Sequence, residues 1–225
     1  MHAAGSAAPD QRRLAVFDLD GTITYRDTLW PYVQGFLANS CRSRLRQLRV
    51  LPALIAFLLG RASHGDVKVA FIRSTLGGAR RSDLQDWTTR FVEQVVMRGC
   101  FPQALAAVAE HRARGDVLIL MSASTDLYVP AIGRQLGFTD SVCTGVRWDG
   151  ERLDGALTTP NRRGEEKVRC FEALKARYPG LPTVAYGNAA SDLPHLRLAD
   201  QADLVNAGGS ARRAARQLGI GTGRW

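Results

Sequence analysis

The sequence predicts an α/β fold: a mostly parallel sheet covered by helices on both faces, with a helical segment inserted after the first strand. Three observations carry this. Short apolar runs at residues 13–17, 117–121 and 183–186 have the continuous hydrophobicity of strands buried on both faces. Polar residues gather where each run ends: Asp18, the Ser122-Ala123-Ser124 triplet, and Gly187-Asn188. Between the first and second runs the apolar spacing changes to the helical period. Ligands of such sheets bind at the carboxyl ends of the strands, so the polar clusters mark the place to look for chemistry.

The elements follow in order. Residues 13–17 read as a buried strand, and Gly21-Thr22 turns the chain away from it. From residue 29 to 97, four short helices are expected from Trp30, Val33, Phe36 and Leu37, from Leu45, Leu48, Leu51 and Leu54 onward, from 67–76, and from 84–96. Pro31 suits a first helical turn, while Gly60, Gly65 and Gly77-Gly78 punctuate the segments. Phe101-Pro102 opens a helix over 103–114, and the second strand leads to a helix beginning near Asp126. Residues 138–144 and 146–157 read as peripheral strands or hairpin pieces, the latter bent at Asp149-Gly150 and Asp154-Gly155. An amphipathic helix over 164–178 stops at Pro179-Gly180; a third strand and a helix through Leu193, Leu196 and Leu198 follow, and 202–205 is expected as the last strand.

The 225 residues suit a single core domain, assigned to 12–28 and 98–225, that carries the insert 29–97 as a cap. Residues 1–11 are rich in small side chains and read as a flexible tail without the features of a secretory signal. Cys41, Cys100, Cys143 and Cys170 are scattered, with no metal-ligand spacing, so free thiols in a reducing, cytoplasmic setting are expected and zinc is not. The net charge of +9 suits an anionic partner. Arginines without interleaved aromatics or a DNA-binding motif argue against nucleic acid.

The polar clusters have the composition of a phosphoryl-transfer site. Such a site needs a nucleophile, a proton donor to the leaving oxygen, positive charge at the phosphate and often Mg²⁺. Asp18 and Asp20, two apart on an extended segment, share a face, so one carboxylate can attack phosphorus while the other moves protons. Ser122 and the adjoining backbone at Ala123 offer donors to phosphate oxygens, and Lys167 offers fixed positive charge. Asn188 and Asp192 add oxygen ligands of the kind Mg²⁺ prefers. Taken alone, each has a plainer role: Ser122, Asn188 and Asp192 as helix caps, Lys167 as a solvated lysine beside Glu165 and Glu166. The four histidines, His2, His64, His111 and His195, form no cluster and are assigned surface or structural roles.

Asp18-Leu19-Asp20-Gly21-Thr22, the Ser122-Ala123-Ser124 turn, Lys167, and Gly187-Asn188 with Asp192 resemble, in order and placement, the four motifs of the haloacid dehalogenase superfamily. The resemblance spans roughly residues 14–205, and the insert looks like the cap of the phosphoserine-phosphatase-like branch, subfamily IB. It implies a Rossmann-like three-layer sheet and a Mg²⁺-dependent phosphatase. By the same resemblance Asp18 forms an aspartyl-phosphate, Asp20 protonates the leaving group and then activates water, and Ser122, Ala123 and Lys167 hold the phosphate. The implied Mg²⁺ ligands are the Asp18 carboxylate, the Asp20 carbonyl and the fourth motif, through Asn188 or Asp192. Asn188 stands where many members carry aspartate, and weaker Mg²⁺ binding is the expected consequence.

The substrate is less legible. Where phosphoserine phosphatases carry a glutamate nine residues after the nucleophile, this chain has Asp27, which leaves phosphoserine and a larger phosphomonoester such as phosphatidylglycerophosphate both open. Residues 41–61 carry Arg42, Arg44, Arg46, Arg49 and Arg61 with no acidic residue and an apolar run over 50–59. That run is too short to span a bilayer at ~20 residues. Its composition fits an interfacial helix, giving peripheral membrane contact through the cap, or a buried cap helix with a solvated basic end.

Overall fold

The computed structural model describes residues 11–38 and 44–225. The expected tail, apart from Gln11, and Cys41 and Arg42 lie outside the described residues. A six-stranded parallel sheet runs in the order β3-β2-β1-β6-β7-β8. Its strands are β1 (Leu14–Phe17), β2 (Val117–Thr125), β3 (Asp140–Thr144), β6 (Thr183–Gly187), β7 (Gln201–Val205) and β8 (Gly221–Gly223). A separate antiparallel hairpin joins β4 (Val146–Asp149) to β5 (Arg152–Leu157).

β1 sits at the centre, buried along its whole length because its side chains alternate between two cores. Ala15 and Phe17 face one layer with Leu118 and Leu120, and Leu14 and Val16 face the other with Ile119 and Met121. Each large apolar side chain so enclosed contributes about 1.5–3 kcal/mol. The second layer is closed by Phe171 and Leu174 of α7 (Glu165–Arg177), Leu196 of α8 (Leu193–Leu196), and Ala211 and Ala215 of α9 (Gly209–Gln217). The first layer is closed by Ala104 and Val108 of α5 (Pro102–Ala113), by Val129 and Ile132 of α6 (Val129–Leu136), and by the insert.

The insert is helical, as its spacing predicts: α1 (Leu29–Ala38), a 3₁₀ stretch (Arg44–Val50), α2 (Leu51–Leu58), α3 (His64–Thr75) and α4 (Arg81–Arg98). Tyr32, Val33 and Phe36 of α1 and Trp87 and Phe91 of α4 share one hydrophobic core with Phe17 and Tyr128. α3 begins with a capping box, in which Ser63 and Asp66 satisfy each other's backbone donors. The β4–β5 hairpin braces this segment rather than the sheet: Gly78 N–H donates to the Leu153 carbonyl at 2.7 Å and Arg81 N–H to that of Glu151 at 2.9 Å.

Three features differ from expectation. The Ser122-Ala123-Ser124 triplet lies inside β2, which runs on to pair Thr125 with Thr144, so α6 starts at Val129 and not near Asp126. β8 follows the strand expected to be last; its Gly-Thr-Gly composition carries no apolar signal. Finally, α2 has no buried residue, so the reading of 50–59 as a buried helix is corrected. Cys100, Cys143 and Cys170 are free thiols.

Candidate active site

The carboxyl ends of β1, β2 and β6 meet the amino-terminal end of α3 around an open cavity of about 500 Å³. It is lined by Asp18, Asp20, Gly21, Ala123, Ser124, Lys167, Asn188 and Asp192 from the sheet side, and by Asp27, His64, Lys68, Asn161 and Arg163 opposite. The sequence-predicted residues therefore converge, with one exception in detail: Ser122 is fully buried and is absent from the cavity lining. Its hydroxyl accepts the Ser124 N–H at 3.0 Å and lies 3.5 Å from an Asp20 oxygen.

The chain is carried out of β1 by a tight turn. Thr22, Ile23 and Thr24 N–H groups all donate to the Leu19 carbonyl, and Gly21 has φ +79°, a conformation that favours glycine. A Cβ at Gly21 would also stand 2.0 Å from Asn188 Nδ2, so the first and fourth motifs are in contact there.

The two carboxylates are held differently. Asp18 Oδ1 accepts from Lys167 Nζ at 2.7 Å and Oδ2 from the Thr22 hydroxyl at 3.0 Å. Burial pushes its carboxyl up to about 7, against the pull of Lys167. Asp20 Oδ1 accepts from the Thr28 N–H (2.7 Å) and hydroxyl (2.6 Å), and Oδ2 from the Ser124 hydroxyl (2.6 Å). Burial and the nearby Asp27 raise Asp20 above the usual carboxylate range, and those hydrogen bonds only partly offset them.

Lys167 is buried and bridges Asp18 and Asp192, both at 2.7 Å. The two carboxylates keep it charged although burial opposes the charge. Asp192 is also buried, but Lys167 and two backbone N–H groups, from Asn188 (3.1 Å) and Ala189 (3.0 Å), hold it below the ordinary range. Asp18 shares that cation, but burial together with the like charges of Asp192 and Asp20 outweighs it there, which is why the two shift in opposite directions. Both Asp192 oxygens are thus occupied in fixing the Gly187–Asp192 loop.

Among the described residues no three His, Cys, Asp or Glu side chains gather around one point. The donors that line the strand ends of the cavity are hard oxygens: the Asp18 and Asp20 carboxylates and the Asn188 amide beside Gly21. A sparse oxygen set of this kind fits Mg²⁺, which binds through one or two carboxylates and keeps several waters.

A protein-family model described as haloacid dehalogenase-like hydrolase matches residues 15–197. The chain belongs to that family. It is 32% identical over 189 residues to protein CicA of Caulobacter vibrioides, covering 84% of this chain and 83% of CicA. It is 27% identical to a probable phosphatase of Mycobacterium tuberculosis, covering 96% of this chain and 76% of the relative. Among solved structures, a Bordetella pertussis Tohama I protein of unknown function superposes with a TM-score of 0.80 at 22% identity, covering 94% of this chain and 98% of the other. A phosphoserine phosphatase carrying a phospho-aspartyl intermediate analogue superposes with a TM-score of 0.67 at 16% identity, covering 95% and 93%. These structures share the haloacid dehalogenase fold.

Several site residues had no role assigned from sequence. Thr28 and Ser124 grip Asp20, and Thr22 grips Asp18. Lys68 Nζ donates to the Ala123 carbonyl and to Asn161 Oδ1, and burial lowers it to about 8 although Asp20 and Asp27 oppose the shift. Lys68 sits four residues after His64, which places both on one face of α3, but a single Lys in a helix carries no signal of its own. His64, assigned a surface or structural role, lines the cavity. His111 is structural, bonded to Asp116 (2.6 Å) and Tyr186 (3.0 Å). His195 is buried against Phe171 and near Lys167, and burial with Lys167 lowers it to about 3, so it is neutral.

Proposed function

We propose that this phosphatase of the haloacid dehalogenase family hydrolyses a phosphomonoester through an aspartyl-phosphate on Asp18, with Mg²⁺ as cofactor. The observation that supports it most is the pair of buried carboxylates at one strand end with separate supports: Asp18 beside the Lys167 cation, Asp20 beside Thr28 and Ser124. Asp18 attacks phosphorus and the bond to the leaving oxygen breaks. Asp20, whose proton affinity is raised by burial, passes its proton to that oxygen. Asp20 then takes a proton from water as the water oxygen bonds to phosphorus; the bond to Asp18 breaks, and phosphate leaves. The Asp18 carboxylate, the Asp20 carbonyl and the Asn188 amide would hold Mg²⁺, which when bound would neutralise charge on Asp18 and the phosphoryl oxygens. Asp192 fixes the loop and Lys167, while Lys167 and the backbone at Ala123 with Ser124 hold the phosphate, and the buried Ser122 supports them from behind by accepting the Ser124 N–H.

We take residues 29–97 as the cap over the core 12–28 and 98–225, so the cap side of the cavity selects the leaving group. Lys68 and His64 of the cap line that cavity, and Lys68 with Arg26 and Arg163 of the core faces one carboxylate, Asp27, beyond those at the strand ends. That balance favours a substrate with negative charge beyond the phosphate, either a small metabolite such as phosphoserine or a lipid phosphate such as phosphatidylglycerophosphate. A second reading, a silent phosphate- or partner-binding module, rests on Asn188 in place of a carboxylate. The test is Mg²⁺-dependent release of phosphate from an aryl phosphate, then from a panel of both substrate classes. Activity that Asp18→Asn abolishes supports the phosphatase; unchanged activity in that variant overturns the mechanism, and an inactive wild type favours the second reading.

A further inference from the structure

We propose that α2 and the 3₁₀ stretch before it form a docking face for an anionic lipid surface. Leu51, Leu54, Ile55 and Leu58 recur at i, i+3, i+4 and i+7, the apolar stripe of an amphipathic helix. In a helix that closes a core, that stripe points inward. Here it points to solvent: Ile55 is 57% exposed, Leu58 81% and Leu59 62%, and no residue of α2 is buried. The stripe continues through the 3₁₀ stretch, where residues three apart eclipse each other, to the exposed Leu48 and to Leu45 at 72%. Half-buried Phe57 lies on another side of the helix and meets His64 of α3 at 4.6 Å between ring centroids.

Charge says what covers this face. Between Asp27 and Asp66 the sequence has no acidic residue, while Arg46, Arg49 and Arg61 flank the stripe. An apolar strip whose own segment carries cations and no carboxylate is complementary to anionic headgroups over acyl chains. No described helix is long and apolar enough to cross a membrane, so the contact is with one surface. His64 joins this face to the cavity that Lys68 also lines, so docking would set the cavity mouth beside the lipid.

The test is co-sedimentation of the full chain with vesicles of phosphatidylcholine alone and of phosphatidylcholine mixed with phosphatidylglycerol, at low and high salt. The wild type is expected to bind the mixed vesicles, to be released by salt, and to ignore the neutral ones. Ile55→Glu/Leu58→Glu is expected to lower the bound fraction at least tenfold, and Arg46→Gln/Arg49→Gln roughly tenfold or more. Circular dichroism and thermal melting check that both variants fold, a control that needs no enzymatic activity. No binding by the wild type, or equal binding by the folded variants, overturns the proposal. So does a wild-type dimer in sedimentation velocity that Ile55→Glu/Leu58→Glu dissociates, because the occupant is then a second copy.

Discussion

Replacing Lys68 by Met is expected to stabilise the protein while weakening its grip on substrate. Burial lowers this lysine from 10.5 to about 8. At about 1.4 kcal/mol per pH unit, keeping it charged near neutral pH costs the folded state about 3 kcal/mol. Methionine fills a similar volume without the charge. It also removes the hydrogen bonds to Asn161 Oδ1 and to the Ala123 carbonyl, but the latter keeps the Thr144 hydroxyl at 2.7 Å. One acceptor without a partner costs about 1 kcal/mol, leaving a net gain of about 2 kcal/mol, or roughly 4–8 °C in Tm for a chain of this size. The sign follows from the lowered affinity: between pH 8 and 10.5 the unfolded chain holds the proton more tightly. The wild type therefore gains stability as pH rises through that window and carries the full penalty below it. Urea unfolding near neutral pH and at about pH 10 should show the variant's advantage at the first and its loss at the second. Steady-state assays should show KM for an anionic phosphomonoester raised roughly tenfold, with kcat less affected. Wild-type KM should rise in the same way as Lys68 deprotonates above about pH 8. A variant less stable than wild type near neutral pH, or one with an unchanged KM, would refute the reasoning.

Asp20→Asn keeps the shape but cannot donate and recover a proton, so turnover should fall by roughly 10²–10⁴-fold, with the pH–rate profile losing the limb that Asp20 contributes. Gly21→Ala forces a side chain into φ +79° and within 2.0 Å of Asn188 Nδ2, so it should reduce activity and raise the Mg²⁺ needed for half-maximal rate, read from a Mg²⁺ titration. Asn188→Asp adds a formal charge to the oxygen set and should lower that Mg²⁺ requirement; an unchanged titration would remove Asn188 from the ligand set.

Apolar runs could be read as strands because β1, β2 and β6 are buried on both faces, and continuous hydrophobicity is the mark of that environment. β8 was missed because a glycine-rich edge strand is held by backbone bonds to β7 that no side chain announces. The extension of β2 through Ser122-Ala123-Ser124 was missed for a similar reason: pairing with β3 keeps a polar triplet extended where local chemistry suggests a turn. Asp18 and Asp20 were legible because two carboxylates at an apolar strand end need partners, and Lys167 and Asp192 because their order along the chain resembles the motifs of the family. The roles of Thr22, Thr28 and Ser124 as partners of those carboxylates were not, since a hydroxyl is unremarkable until a buried carboxylate lies 3 Å or less away.

By itself the sequence determined the strand–helix alternation, the helical insert and the carboxylates that end β1, because hydrophobic period and turn chemistry are local. Tertiary structure decided what depends on which surfaces meet. It buried Lys167 between two carboxylates, where helical context suggested a solvated side chain. It swung Lys68 over the Ala123 carbonyl. It also turned the apolar stripe of α2 to solvent, because an amphipathic pattern records that a face is apolar but not what will cover it.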